Sequence, residues 1–131
     1  MKLYLTGKMR GLKHYNFPVF DAAAEELRGY GHEVINPADL DRSRGFNPED
    51  LPDDYDWNEL PDGMDLNEVI LEDIGLLLTC DATVVLDGWQ ESRGAAAEFY
   101  TSIWAGKPVF TYEYLSGVGF GEADFHIEAR T

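Results

Sequence analysis

The chain has 131 residues, and 25 acidic side chains against 10 lysines and arginines give it a formal net charge of −15. This charge argues against duplex nucleic acid and anionic membranes as partners, because both are bound through basic surfaces. Hydrophobic residues make up 44% of the chain and aromatic residues 13%, enough to pack the core of a single domain spanning residues 1–131.

Cysteine usage and hydropathy indicate the compartment. Cys80 is the one cysteine, so the chain forms no internal disulfide, which is typical of a reducing compartment. No apolar run approaches the roughly 20 residues of a membrane-spanning helix. Met1 leads directly into a strand pattern without a signal peptide, so we expect a cytoplasmic protein. A high-salt habitat is an alternative reason for the acidity.

The first half of the chain alternates strand and helix patterns. Residues 2–6 predict a short buried strand, and residues 17–30 carry apolar side chains at helical spacing. Residues 33–35 predict a second strand, ended by an Asn-Pro pair. From about 39–65 the chain is acidic and interrupted by proline and glycine, which predicts a long loop with a function or with mobility. Its aromatic residues either cover a ligand or pack the loop down, and we favour packing.

The second half continues the alternation. Residues 65–78 predict a helix with Asp65 as its N-cap. Residues 82–86 are an unbroken apolar strand, 92–105 a helix and 109–112 a fourth strand. We therefore predict an α/β fold: a single three-layer, flavodoxin- or Rossmann-like domain with a mainly parallel sheet of four to five strands. In such sheets a ligand binds at the carboxyl ends of the strands.

Asp73 is the first candidate for chemistry. It shares one face of the predicted helix with Leu66, Val69, Ile70 and Leu77. A carboxylate on a core-facing stripe is costly unless it is paired or lines a cavity. A salt-bridged residue at the rim of the core and a functional acid both remain open.

The segment after the third strand holds further candidates. Ser92 and Gly94 open a helix whose free N–H groups make an anion site. Glu98 lies on a face of small residues, although a solvated glutamate is the ordinary alternative.

A basic loop follows the first strand. Lys2, Lys8, Arg10 and Lys13 form a cationic island in an acidic chain, and the flexible loop that Gly7 opens is suited to phosphate or to another small anion. An ordinary turn whose charges balance the acidic bulk is the alternative. The loop has no dinucleotide or P-loop signature. The three histidines lack ligand spacing, so we expect no metal and no other cofactor.

Together these segments resemble the nucleoside 2-deoxyribosyltransferase superfamily, which includes the 2'-deoxynucleoside 5'-monophosphate N-glycosidases and a group of short phage-type and bacterial proteins. The resemblance covers most of the chain. It runs through Tyr4-Leu5-Thr6-Gly7-Lys8-Met9-Arg10-Gly11, Asn36-Pro37, Leu71-Glu72-Asp73-Ile74, 82–86, 89–98 and Gly106-Lys107-Pro108-Val109.

The resemblance implies site residues. The family's nucleophilic or oxocarbenium-stabilising glutamate falls on Glu98, its aspartate beside the nucleobase on Asp73, and the tyrosine that orients the glutamate on Tyr4. Ser92 matches a phosphate-binding serine of the monophosphate hydrolases, and the transferases tend to have an acidic residue at that position. Trp89 either stacks on the base or packs.

The phosphate loop of the hydrolases also has counterparts here. Gly7 and Arg10 match it, with Lys8 where the hydrolases have a serine, and the helix N–H groups near Gly94 and Ser92 complete the expected phosphate site.

The implied activity is cleavage of the N-glycosidic bond of a (deoxy)nucleoside 5'-monophosphate, giving free base and sugar phosphate. A base-exchanging 2-deoxyribosyltransferase and a non-catalytic nucleotide-binding module are the alternatives. The implied partners are a small nucleotide or nucleoside and further copies of the chain, in a homodimer or larger assembly in which residues 124–128 help to complete the site of a neighbouring copy. A phage-encoded member would act in the host cytoplasm.

Overall fold

The computed structural model describes residues 1–59 and 63–117. Its four strands are β1 (Lys2–Thr6), β2 (Glu33–Ile35), β3 (Ala82–Val85) and β4 (Val109–Thr111). Its helices are α1 (Phe17–Gly29), α2 (Pro37–Ser43), α3 (Leu66–Leu78), α4 (Arg93–Trp104) and α5 (Tyr112–Leu115), with short 3-10 turns at Lys13–Asn16, Pro48–Asp50 and Trp89–Glu91. The predicted residues 124–128 lie outside the described part.

The sheet is parallel throughout, in the order β2-β1-β3-β4. The central strand β1 alternates between two covered faces, as strand geometry requires. Leu3 and Leu5 pack with α1, whereas Tyr4 lies in the opposite layer with Leu77 of α3. The predicted three-layer α/β fold with a parallel sheet is therefore confirmed.

Two helix starts follow from local capping. Asp65 accepts hydrogen bonds from the N–H groups of Asn67 and Glu68, and Ser92 accepts one from Ala95. Both residues are the N-caps that their side chains favour, because a short polar side chain satisfies the free N–H groups of the first turn. These caps fix where α3 and α4 begin, and so where Asp73 and Glu98 lie along them.

The apolar face of α3 differs from the sequence prediction. Leu77 is fully buried, but Leu66 and Ile70, which share the predicted stripe, are about half exposed, at 48% and 51%. Leu71 of α3 and Trp104 of α4 are more exposed still. The prediction of a core-facing stripe along the whole helix was thus wrong for its first half, because α3 meets the sheet only near its carboxyl end.

The predicted loop at 39–65 contains more structure than expected. Its start belongs to α2, since Asn36 accepts a hydrogen bond from Ala38 and Pro37 supplies the first helical position. Further along, Phe46 and Trp57 pack edge-on against Tyr15. Loop packing is thus the observed role of these aromatic side chains.

In the described residues no helix has the length and apolar character needed to cross a membrane.

Candidate functional site

Glu98 lies at the carboxyl end of the sheet with both carboxylate oxygens engaged. The Tyr4 hydroxyl donates to its Oε2 at 2.5 Å, and the Thr6 hydroxyl donates to its Oε1 at 2.6 Å. Tyr4 and Thr6 are two residues apart on β1, so their side chains leave the same face of the sheet. The strand therefore fixes the orientation of a carboxylate that α4 brings to it.

Burial dominates the acidity of this group. It raises the pKa of Glu98 to about 7, against the lowering effect of the hydrogen bonds from Thr6 and Tyr4, and the nearby carboxylates of Asp73 and Asp41 raise it further. Burial, together with the adjacent Glu98 carboxylate, also holds the pKa of Tyr4 well above its usual value. A glutamate poised near neutrality can exist as the carboxylate or as the acid at ordinary pH.

Asp73 lies beside this pair and is held by an arginine. Its Oδ1 accepts a 2.6 Å hydrogen bond from Nη2 of Arg44, and Nη1 of Arg44 donates at 2.6 Å to Asp41. Glu72 lies 3.3 Å from the same guanidinium. Burial raises the pKa of Asp73 although Arg44 opposes it, and burial raises the pKa of Asp41 to about 6. Of the two readings of Asp73 left open, its paired state is observed.

Three members of this cluster were not singled out from the sequence. Thr6 could have been found from the sequence, since it stands two residues after Tyr4 on the predicted strand and must face the same way. Asp41 and Arg44 could not have been found, because they lie in a segment predicted to be a loop and meet Asp73 only through tertiary packing. We call Tyr4, Thr6, Asp41, Arg44, Asp73 and Glu98 the acidic cluster.

The basic loop follows β1 at the same sheet edge. Gly7 packs so closely that a Cβ there would lie 2.9 Å from Cβ of Leu86. Lys8 forms a 3.2 Å ion pair with Glu91, next to the start of α4. Arg10 is exposed, and its side chain forms no ion pair with residues 1–59 or 63–117. Within the described part of the chain, the loop thus offers one guanidinium without an ion pair and one lysine that is already engaged.

The start of α4 lies beside that loop, because β1 and β3 are neighbours and the N–H of Leu86 donates to the carbonyl of Thr6 at 2.8 Å. The Ser92 Oγ accepts a hydrogen bond from the Ala95 N–H at 3.2 Å, which leaves its own O–H available. Gly94 is exposed in the first turn. The residues predicted to bind phosphate therefore lie in two neighbouring segments, the loop after β1 and the start of α4.

Trp89 lies in a different environment from the acidic cluster. It stacks on Phe99, with ring centroids 4.3 Å apart and an angle of 24° between the planes. It packs there beside Val85 and Val109. Packing against α4 is its observed contact, and a contact with a base stays a prediction.

A cleft of about 450 Å³ opens next to the acidic cluster. Arg44 and Glu72 line it together with apolar and aromatic side chains, among them Phe46, Tyr55 and Val69. Tyr4, Asp73 and Glu98 do not line it, so Arg44 is the member of the acidic cluster that the cleft reaches. Within the described chain, no group of three side chains is arranged to hold a metal ion.

A parallel α/β sheet of flavodoxin type with a partly buried glutamate at its carboxyl edge defines the class of this protein. Within that class the chain belongs to the family described as Domain of unknown function (DUF4406), whose model matches residues 1–111. No curated protein matches it.

One solved structure shares the fold. It is described as a 2-deoxyribosyltransferase from the psychrotolerant bacterium Bacillus psychrosaccharolyticus, a biocatalyst for the synthesis of antiviral and antitumoral nucleosides. The two chains are 24% identical, the match covers 85% of this chain and 71% of that one, and the TM-score is 0.56. The likeness shows that the two chains share a fold, and that fold is the one which the sequence resemblance implies.

Proposed function

We propose that this protein cleaves the N-glycosidic bond of a (deoxy)nucleoside 5'-monophosphate, with Glu98 as the catalytic residue. The observation that carries the proposal is the placement of Glu98: a partly buried carboxylate, held through both oxygens by Tyr4 and Thr6 at the carboxyl edge of a parallel sheet. Ligands of such sheets bind at that edge.

The chemistry needs a carboxylate beside the anomeric carbon. The bond from C1' to the base nitrogen breaks, its electron pair stays on the base, and the Glu98 carboxylate forms an ester with C1'. Water then adds to C1', Glu98 leaves as the carboxylate, and one proton from that water balances the charge of the departed base. The products are free base and sugar phosphate.

Asp73 is the proposed partner of the leaving base. Burial raises its pKa, which favours a protonated form able to donate to the base nitrogen as negative charge develops there. Its position beside Glu98 supports this role, since the carboxylate of Asp73 contributes to the raised pKa of Glu98.

The substrate preference rests on the basic loop. Arg10 and the hydroxyl of Ser92, which donate to no side chain in the part of the chain that the structure describes, are suited with the N–H groups near Gly94 to a 5'-phosphate that would hold the sugar over Glu98. Lys8 would have to exchange Glu91 for phosphate to contribute. Gly7 lets the loop lie against Leu86.

A 2-deoxyribosyltransferase activity is the second candidate. The solved structure with the same fold is described as such an enzyme. The first half of the reaction would be the same, and a second base would replace water as the group that takes the sugar from Glu98.

We further propose that the chain associates with itself. The outward faces of α3 and α4 expose large apolar side chains: Leu71 is 77% exposed and Trp104 79%. The two helices are in contact with each other, and large apolar side chains exposed on adjacent helices favour an interface. Sedimentation of the wild type beside a Trp104→Glu variant tests this, and an unchanged monomeric mass for both would contradict it.

The test of the activity is chromatographic detection of free base from a panel of nucleosides and 5'-monophosphates. Glu98→Ala should abolish release. Glu25→Ala is the matched control, because Glu25 is an exposed helical glutamate far from the cluster in α1. Release by wild type and Glu25→Ala alone supports the proposal. Release only when an acceptor base is added favours transfer, and no release from any substrate favours a nucleotide-binding module.

A further inference from the structure

Arg44 connects two elements that bear on the candidate site. It is the C-cap of α2, and its side chain reaches across to the middle of α3. The two terminal nitrogens of its guanidinium bind different residues: Nη1 donates to Asp41 and Nη2 donates to Asp73, both at 2.6 Å. The side chains of all three residues are at most 17% exposed. A bridge of this kind differs from a surface ion pair, which solvent screens and which contributes little.

The bridge also determines which carboxylate oxygen of Asp73 is hydrogen-bonded within the protein. Arg44 occupies Oδ1, while Oδ2 accepts no hydrogen bond from residues 1–59 or 63–117. One oxygen is therefore fixed by the protein, and the other has no hydrogen-bond donor among the described residues. A carboxyl held in this way is pre-oriented, which is what a proton donor or acceptor needs to act on one substrate atom.

Arg44 supplies positive charge to a site that several acidic groups face. Tyr4 faces the site from β1, Asp41 from α2, Glu72 and Asp73 from α3, and Glu98 from α4. Arg44 is the cation that lowers the pKa values of Asp41 and Asp73, whereas the carboxylates raise one another's. Without it, three closely placed carboxylates would have no positive neighbour among the described groups.

We propose that Arg44 is a positioning residue for the reaction: anchored by Asp41, its guanidinium holds Asp73 with Oδ2 directed to the substrate. The inference rests on the proposed function, because it assigns Arg44 an effect on the step in which Asp73 meets the leaving base. Arg44 touches no substrate atom in this role and acts only through Asp73.

The test compares Arg44→Lys and Arg44→Met with Arg42→Met. Lysine keeps the charge but, as a single ammonium, cannot reproduce the two-armed fork. Arg42 is the matched control, because it also belongs to α2 and also bridges acids, with Asp21 at 2.6 Å and Glu49 at 3.2 Å, but contacts no member of the acidic cluster. The two methionine variants both lose ion pairs that tie α2 in place.

The first readout does not depend on activity. Carboxyl carbon NMR across a pH titration reports the pKa of Asp73. We expect Arg44→Met to raise it, since Arg44 lowers that pKa in the wild type, and Arg42→Met to leave it unchanged. An Asp73 titration that is the same in Arg44→Met and wild type overturns the proposal, even in a preparation that cleaves no substrate.

The second readout is base release per folded molecule. We expect kcat to fall by about 10- to 100-fold in Arg44→Lys and at least as far in Arg44→Met, with a smaller change in KM, because displacement of a catalytic group by about 1 Å has effects of that size. Arg44→Lys also serves if Arg44→Met fails to fold. Wild-type kcat in Arg44→Lys contradicts the positioning role, whereas no release by the wild type contradicts the proposed function instead.

Discussion

The Tyr4 hydroxyl donates to Oε2 of Glu98 at 2.5 Å, although 94 residues separate the two in sequence. The contact depends on the order of the sheet. Since β1 lies beside β3, the helix that follows β3 returns across β1, which places the first turns of α4 over Tyr4. The parallel topology thus brings a phenol and a carboxylate together in a buried setting.

Replacement of Tyr4 by phenylalanine tests this pair. Loss of the donated hydrogen bond should raise the pKa of Glu98 further and lower base release by about 10- to 100-fold, the size expected for one charge-assisted hydrogen bond of about 1.5–3 kcal/mol. The measurement is kcat/KM against pH, whose acidic limb should move to higher pH. Tyr112→Phe is the matched control, because Tyr112 also donates to a glutamate, Glu26, but in another part of the fold. Equal losses in both variants would contradict the role of Tyr4.

Local signals account for what the sequence predicted well. The strand bounds at residues 2–6 and 33–35 follow from short apolar runs between turn residues, and the caps Asp65 and Ser92 follow from their own side chains. Glu98 could be named only through the family resemblance, because its periodicity is also that of a solvated glutamate.

Tertiary packing accounts for what the sequence did not predict. The apolar spacing of α3 is correct, yet Ile70 remains half exposed because periodicity does not say how far along a helix the sheet extends. Arg44 and Asp41 are three residues apart in an acidic segment, where many ion pairs are possible. Whether these residues meet Asp73 depends on where α2 ends relative to α3, and no local pattern specifies that position.

The basic loop predicts a difference between two substrates. Arg10→Gln should raise KM for a 5'-monophosphate by about 10- to 100-fold, because a hydrogen bond to a charged phosphate contributes about 1.5–3 kcal/mol. Release from the corresponding nucleoside should be unaffected. Arg28→Gln is the control, since Arg28 is ion-paired with Asp39 on the surface of another layer. An equal loss on both substrates would show that Arg10 does not read the phosphate.

Gly7 predicts a change in stability with a known sign. Gly7→Ala would bring a Cβ to 2.9 Å from Cβ of Leu86, in a buried position, and should lower the free energy of unfolding by about 1–3 kcal/mol. Gly75→Ala should do the opposite, raising it by about 0.5–1 kcal/mol, because Gly75 is an exposed helical residue with open space around its Cα. Urea unfolding of both variants measures the two effects. A neutral Gly7→Ala would mean that β1 and Leu86 can move apart at little cost.

Glu98 makes stability depend on pH. Burial raises its pKa in the folded chain to about 7 from the ordinary value of 4.5, so between these values the folded state keeps a proton that the unfolded state has released. The free energy of unfolding therefore falls as pH rises from about 4.5 to about 7, by about 3 kcal/mol from this group, and is flat above. Burial raises the pKa of Asp41 to about 6, so this group adds a smaller decrease in the free energy of unfolding, which ends near pH 6.

Glu98→Gln removes that dependence and isolates it. We expect the variant to match the wild type near pH 4.5 and to be the more stable of the two at pH 8, because the amide has no charge to bury and the hydroxyls of Tyr4 and Thr6 can still bond to it. Urea unfolding at a series of pH values measures the difference, with Glu25→Gln as an exposed control. Parallel curves for Glu98→Gln and wild type would mean that Glu98 is ionised at little cost. The two donors would then stabilise the carboxylate about as strongly as burial opposes it, and the acidic limb of the activity profile would lie well below pH 7.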